Sequence, residues 1–412
     1  MKPKILTGLC IALCAVRQVA QAQIYDTNDD VVEILAGSAG TSGYLNAQGT
    51  LAMFANLEAI AADSFGNLYI ADSGNSRIRK ITTNGTVSTF AGGGNGSLPG
   101  YGTTVSLGNG NDFGAMIIDH SNTIWLVYGY YGELVRIGTD TLVEALSFSG
   151  IYADSGICVD SANNLYYSTR TQIYRLGANG TLDLFAGSGS TGSENGNGIY
   201  ASFSGPGALA ADEAENIYVW DAGNQLIRRI DQSQNVTTIA GNGSSANADG
   251  VGTAASFNSI YAMDADNFGN VFLACGSCIR KIDASTNVWT VAGSFSQSSY
   301  ANGVGALARF SGASGLCLSQ GMIFVADSAN QVIRNISFNP VAEPVTGPNL
   351  GIATYAGIQI TGFVGRTYQI QASTNMTTWN TVATLLLTSS PYLWFDTSSI
   401  GGNKFYRAFL MP

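Results

Sequence analysis

The stretch "GNLYIADSGNSRIRKITTNGTVSTFAG", residues 66 to 92, is written again further along the chain, and a repeat of this period limits the fold more than any other feature. "DSFGNLYIADSGNSRIRKI" from Asp63 returns as "DEAENIYVWDAGNQLIRRI" from Asp212, "DNFGNVFLACGSCIRKI" from Asp266 and "SQGMIFVADSANQVIRNI" from Ser319. Weaker copies are "DHSNTIWLVYGYYGELVRI" from Asp119 and "DSANNLYYSTRTQIYRL" from Asp160. The anchors Asp63, Asp119, Asp160, Asp212, Asp266 and Ser319 lie 56, 41, 52, 54 and 53 residues apart, so there are six units.

Each unit reads as four short strands, for example "AIAAD", "NLYIA", "RIRKI" and "TVSTFAG". Asp-x-x-Gly-Asn parts the first two, and Asn84-Gly85 or Asn179-Gly180 parts the last two, both tight-turn chemistry. A sheet apolar on both faces cannot bury itself. Stacking six such sheets around an axis can bury them all, which predicts a six-bladed β-propeller. The sixth unit runs into Pro340 without a fourth strand, whereas "VVEILAG", residues 31 to 37, matches the fourth strands elsewhere. The N-terminal strand is therefore expected to complete the last blade and remove an exposed edge.

These residues resemble the NHL repeat. The resemblance covers residues 31 to 338, specific in units 1, 4, 5 and 6 and degraded in units 2 and 3. Asp72 and Arg79, Asp221 and Arg228, and Asp327 and Arg334 are each seven apart, which places acid and base on neighbouring antiparallel strands as blade-internal pairs. Unit 5 has Cys275 in place of the acid, and the pair Cys275 and Cys278 is read as a substitute for the ion pair.

The opening "MKPKILTGLCIALCAVRQVAQAQ" has the layout of a secretory signal peptide, residues 1–22, with an apolar run short for a membrane span. Export to the extracellular medium or periplasm is the expectation, with no membrane span in the mature chain. Without Lys2, Lys4 and Arg17 the 18 basic residues become 15 against 28 acidic, net −13, which provides no basic face for nucleic acid. In an oxidising compartment Cys275 and Cys278 are candidates for a small disulfide. Cys158 and Cys317, at repeat positions held elsewhere by Ala61 and Ala210, read as small buried thiols.

After a Pro-containing linker, residues 339–349, the repeat stops and residues 350–412 alternate as several short strands, read as a small β-sandwich. The pattern "GRTYQIQASTNMTTWNTV…FDTSS…KFYRAF" resembles the fibronectin- or immunoglobulin-like module ending some large secreted bacterial proteins, which implies a spacer or surface-retention unit. Trp379 and Trp394 read as its core. The expected whole is all-β: a signal peptide, a six-bladed propeller over 23–338 closed by its N-terminal strand, a linker and a sandwich.

In a propeller the blade-to-blade loops and the turns after each second strand share the channel mouth. The loops here are long and rich in Gly, Asn and Ser, so binding is expected there. Tyr128, Tyr130, Tyr131 and Tyr261 are the candidate contacts for a protein or carbohydrate ligand, which makes the chain a non-catalytic interaction scaffold. The alternative takes Glu58, Asp112 and Asp154, carboxylates from three consecutive blades, as ligands of a Ca²⁺ ion. It draws on the lactonase-like relatives of this architecture and makes the chain a calcium-dependent lactonase or esterase. Other chemistries fail on inventory. The chain has one histidine, His120, at a blade turn away from the mouth, too few for a histidine-held zinc and misplaced for a Ser-His-Asp triad.

Overall fold

The computed structural model describes residues 30–108, 113–128, 133–146 and 156–338, and in the tail residues 357–360, 366–373, 377–386, 392–395 and 405–410. Six antiparallel sheets follow one another in the order the repeat demands. Blade 1 is formed by Leu57–Ala62, Leu68–Asp72, Arg77–Ile81 and Val87–Gly92. Blades 2 to 5 repeat this meander from Phe113–Ile118, Ile157–Val159, Pro206–Ala211 and Ala262–Ala265. Blade 6 supplies Ala313–Ser319, Met322–Asp327 and Val332–Phe338, and Asp30–Ala36 adds to it as the fourth strand. Asp30 stands opposite Phe338, and Ala36 opposite Ile333. The chain's beginning thus closes the ring, and each innermost strand packs against those of both neighbouring blades, blade 6 against blade 1 included.

Six apolar clusters fill the six clefts between blades, one per cleft. This is how a sheet apolar on both faces is covered without a second layer. The anchor aspartates organise the first turn of each unit. The Oδ1 atoms of Asp63, Asp160, Asp212 and Asp266 accept the backbone N–H of the asparagine four residues on, and Oδ2 accepts that asparagine's amide. The same carboxylates take the hydroxyl of Tyr69, Tyr166 or Tyr218, and Asp119 takes the indole N–H of Trp125. A buried polar edge on the second strand is satisfied by the turn that precedes it.

Two repeated elements lie beyond the four strands. A two-residue strand, Gly100–Tyr101, Gly196–Asn197, Gly250–Val251 or Gly303–Val304, pairs with the outermost strand of blade 2, 4, 5 or 6 and makes those sheets five-stranded. Next comes a one-turn 3₁₀ segment that starts at Gly49, Gly102, Gly198, Gly252 or Gly305 and is followed, three residues past its end, by Phe54, Leu107, Phe203, Phe257 or Phe310. The four phenylalanines are fully buried, each contributing about 2–3 kcal/mol of apolar burial. The glycine closing "FAG" has a steric cause. Gly92, Gly241 and Gly293 have φ of 84°, 103° and 90°, and a Cβ there would lie 2.5 Å from a carbonyl of the blade's second turn, Ser76, Gln225 or Ser277.

The chain divides into two compact units at Val341 and Ala342. The described tail residues form a two-stranded sheet, Gly357–Ile360 with Tyr392–Phe395, and a three-stranded sheet centred on Thr367–Ser373. Among the described residues no helix is long and apolar enough to cross a membrane.

Candidate functional site

The two ends of the channel differ in what lines them. On one face the first turns of adjacent blades meet: Ser64 N–H donates to Asn122, His120 N–H to Asn163, and Ser161 to Glu215. His120 lies here, its ring Nε2 3.0 Å from the carbonyl of Asp160. On the other face, the mouth, the second turns of blades 3, 5 and 6 touch the start of the next blade. Asn56 N–H donates to Gln331 Oε1, Gly205 N–H to Arg170 O, and Ala313 N–H to Gly276 O.

Buried arginines hold the mouth loops in place. Arg79, Arg228 and Arg334 donate to Asp72, Asp221 and Asp327 at 2.6, 2.8 and 3.0 Å, with both partners fully excluded from solvent. Each guanidinium also reaches two carbonyls of the loop entering its blade: Met53 and Leu45, Ser202 and Glu194, or Arg309 and Ala301. A loop asparagine, Asn46, Asn195 or Asn302, accepts a further bond, and Phe54, Phe203 or Phe310 lies under the cation.

Blade 5 departs from the sequence expectation. Arg280 keeps an ion pair, with Asp249 at 2.8 Å, and Asp249 stands at the loop position that asparagine fills in the other three. The acid has moved from the strand position, where Cys275 stands, to the loop position of the asparagine, so the cysteines do not replace the ion pair. Cys275 and Cys278 are free thiols in the structure. The Cys278 thiol is pushed up, first by its hydrogen bond with Cys275 and then by burial. In blades 2 and 3 the arginine register is occupied by Val135 and Tyr174, and Tyr174 stacks on Tyr167 at 5.7 Å.

Of the proposed ligand contacts, Tyr261 and Tyr128 are described; Tyr130 and Tyr131 lie outside the described residues. Tyr261, at the entry of blade 5, is 59% exposed. Its N–H is held by Ala274 O, and Gly276, at φ 77°, packs so close that a Cβ there would lie 3.3 Å from its ring. Tyr128 ends the second strand of blade 2, half-buried, its ring 6.1 Å from that of Phe113. Glu58 lies half-buried on the first strand of blade 1, its Oε1 accepting the Asn56 amide at 3.1 Å. Asp112 and Asp154 lie outside the described residues. Among the described residues, no three His, Cys, Asp or Glu side chains gather where a metal ion could sit.

On the innermost strand of each blade, two residues before each anchor, stand Ala61, Ile117, Cys158, Ala210, Asp264 and Cys317. Asp264 was not singled out in the sequence, although it is the one carboxylate at this register. Its Oδ2 accepts Leu318 N–H from blade 6 at 2.7 Å and its Oδ1 accepts Ala265 N–H. Burial pushes it up to about 6 against the pull of these bonds. Cys158 and Cys317 are pushed well above the usual thiol range by burial, with the charge of nearby acids adding to it. Both remain protonated, inert thiols at neutral pH.

No family model matches the chain, and no curated protein matches its sequence. Solved structures do. A protein of unknown function from Bacteroides thetaiotaomicron aligns with TM-score 0.59 at 18% identity, over 75% of this chain and 76% of its own. An auxiliary nutrient binding protein from the same organism aligns with TM-score 0.59 at 15% identity, over 75% and 76%. Another, from Bacteroides ovatus, gives TM-score 0.56 at 15% identity, over 75% and 77%. At such identities the likeness shows the fold, a six-bladed β-propeller.

Proposed function

We propose that the chain is an exported NHL-type propeller acting as a non-catalytic binding scaffold, with its ligand, a carbohydrate or a protein, at the channel mouth. The observation that carries this is Tyr261, an aromatic ring 59% exposed at the mouth and tied at its backbone to the blade. An amphipathic ring held this way offers contact area at low entropic cost. Similarity of fold to proteins described as auxiliary nutrient binding proteins supports the reading. His120 lies on the far face, and the buried thiols of Cys158 and Cys317 stay protonated.

The test is a glycan array together with a pull-down from the native cell surface, using wild type and Tyr261→Ala. A ligand captured by wild type and weakened at least about tenfold in the variant, as expected for a central aromatic anchor, supports the reading. Silence in both assays refutes it. A Ca²⁺-dependent rise in melting temperature, abolished in Glu58→Gln, would favour the hydrolase alternative instead.

A further inference from the structure

On the face opposite the mouth, the cleft between blades 4 and 5 holds a cavity of about 320 Å³ lined by Tyr218, Arg229, Ile239, Phe268, Asp212 and Asp283, among others. Two substitutions within the repeat account for its shape and charge. In blades 1 and 3 the bulged residue of the fourth strand is Phe90 or Phe185, and its ring packs edge-on against Tyr69 or Tyr166 at 4.9 or 4.8 Å. In blade 4 the same bulge position is Ile239, beside Tyr218, as blades 5 and 6 carry Val291 and Leu35 there. Blade 4 keeps the tyrosine of blades 1 and 3 but not the ring that packs on it.

The second substitution concerns the third strand. In blades 2 and 3 its guanidinium faces an acid across the sheet, Arg136 to Glu144 at 2.7 Å and Arg175 to Asp183 at 3.2 Å. In blade 4 the residue opposite Arg229 is Thr237. Lys80 and Lys281, at the same register, lie over aromatic rings. Among the described residues Arg229 forms no ion pair and lies over no ring; its charge acts on Asp231 and Tyr218 without a bond to either, and it is exposed along the cleft. The two acids of the lining do not compete for it. Asp212 is filled by Asn216 and the Tyr218 hydroxyl, and Asp283 by Ser285 and Asn287.

We propose that this cleft is a binding site for a small one-ring aromatic carboxylate, whose ring takes the place left by the missing phenylalanine and whose carboxylate pairs with Arg229. Arginine holds a carboxylate through two parallel N–H bonds, which gives the pairing direction as well as strength. Phe268, partly exposed at the first turn of blade 5, forms part of the wall beside that ring. The site is independent of the channel mouth.

The experiment is ¹⁹F NMR titration of the full chain with 4-fluorobenzoate, and with fluorobenzene as the uncharged comparison. Wild type is expected to bind the carboxylate in the millimolar range or tighter, and fluorobenzene at least about tenfold more weakly. Ile239→Phe refills the cleft as in blades 1 and 3, and Thr237→Asp, on an exposed strand position, supplies the acid found in blades 2 and 3. Both are expected to lower affinity at least about tenfold, while Tyr101→Ala, an exposed residue on the edge strand of blade 2, leaves it unchanged. Thr237→Asp reads the outcome even if Ile239→Phe folds poorly. No binding by wild type, equal binding of fluorobenzene, full affinity in Thr237→Asp, or loss in Tyr101→Ala would each overturn the assignment.

Discussion

Arg228 and Arg280 do the same task in neighbouring blades, yet replacing each by methionine is expected to have unequal consequences. Both guanidinium groups bond two loop carbonyls, Ser202 and Glu194 in one case and Ser256 and Ala248 in the other, and both sit over a buried phenylalanine. Those losses cancel in the comparison; Arg280 additionally lies over Phe295 and Arg228 additionally bonds Asn195, and these two small terms offset one another. The carboxylates left behind differ: the Asp221 side chain is 0% exposed, while that of Asp249 is 39% exposed and can rehydrate. Stranding a fully buried charge costs about 3–5 kcal/mol, whereas a solvent-accessible pair contributes about 0–1 kcal/mol. Arg228→Met should therefore destabilise by about 2 kcal/mol or more beyond Arg280→Met. The assay is urea unfolding followed by tryptophan fluorescence, comparing midpoints and slopes of the two variants with wild type. Adding Asp221→Leu to Arg228→Met removes the stranded charge, and the midpoint should move back toward wild type. Equal midpoints for the two single variants, or a double variant no more stable than Arg228→Met, would refute the reasoning.

Asp264 predicts a pH dependence. Its folded value of about 6 lies above the ordinary 3.8, so between those values the folded state keeps a proton that the unfolded chain has released. Stability should fall by up to about 3 kcal/mol as pH rises through that window and then level off. The difference in urea midpoint between wild type and Asp264→Asn, followed from pH 3.5 to 7.5 (about one unit beyond each end), should carry this slope. Deleting residues 30–36 unpairs the edge of Val332–Phe338, and the shortened chain is expected to elute earlier than the full chain in size-exclusion chromatography. Cys275 is partly exposed whereas Cys278, Cys158 and Cys317 are buried, so brief treatment with iodoacetamide should label Cys275 first, as read by peptide mass spectrometry.

The ring was legible because its determinants are local and repeated. Asp63 and Asn67 fix a turn, Tyr69 answers that turn's carboxylate, and the pattern recurs at nearly constant spacing. Closure by residues 30–36 could be read for the same reason, since a strand missing at one end was present at the other. The buried arginine network was legible in part. Asp72 and Arg79 are seven apart, but Leu45, Asn46 and Met53, which the same guanidinium bonds, are 26 to 34 residues upstream in a loop of different apparent grammar. A signal was available there, since Gly49, Gly198, Gly252 and Gly305 each stand 14 residues before an anchor and five before a phenylalanine. The exchange of Asn for Asp249 in blade 5 was hidden because the acid moved between elements rather than along one. The cleft behind Arg229 is an absence, and an absence shows only when equivalent blades are superposed.

The distribution of that arginine also divides the ring. Blades 4, 5, 6 and 1 are consecutive around the axis, and in each a guanidinium ties the entering loop to its blade through two carbonyls and a loop side chain. Such loops are constrained in sequence, because a one-residue change in length would strand a buried cation at a cost of several kcal/mol. Blades 2 and 3, adjacent to one another, hold Val135 and Tyr174 at the same register and carry no such obligation. In the sequence Asp112 and Asp154 precede the first strands of those two blades, and Tyr130 and Tyr131 follow Tyr128. Selection for a ligand can change these segments without dismantling a buried network, whereas the same change in blade 4 or 6 would unseat the blade. On the proposed binding function, recognition is therefore expected to be concentrated over blades 2 and 3, together with Tyr261 of blade 5. Grafting Arg79 and its loop partners into blade 2 should raise the urea midpoint while reducing ligand capture. A graft that stabilises the protein and leaves capture untouched would move recognition elsewhere on the ring.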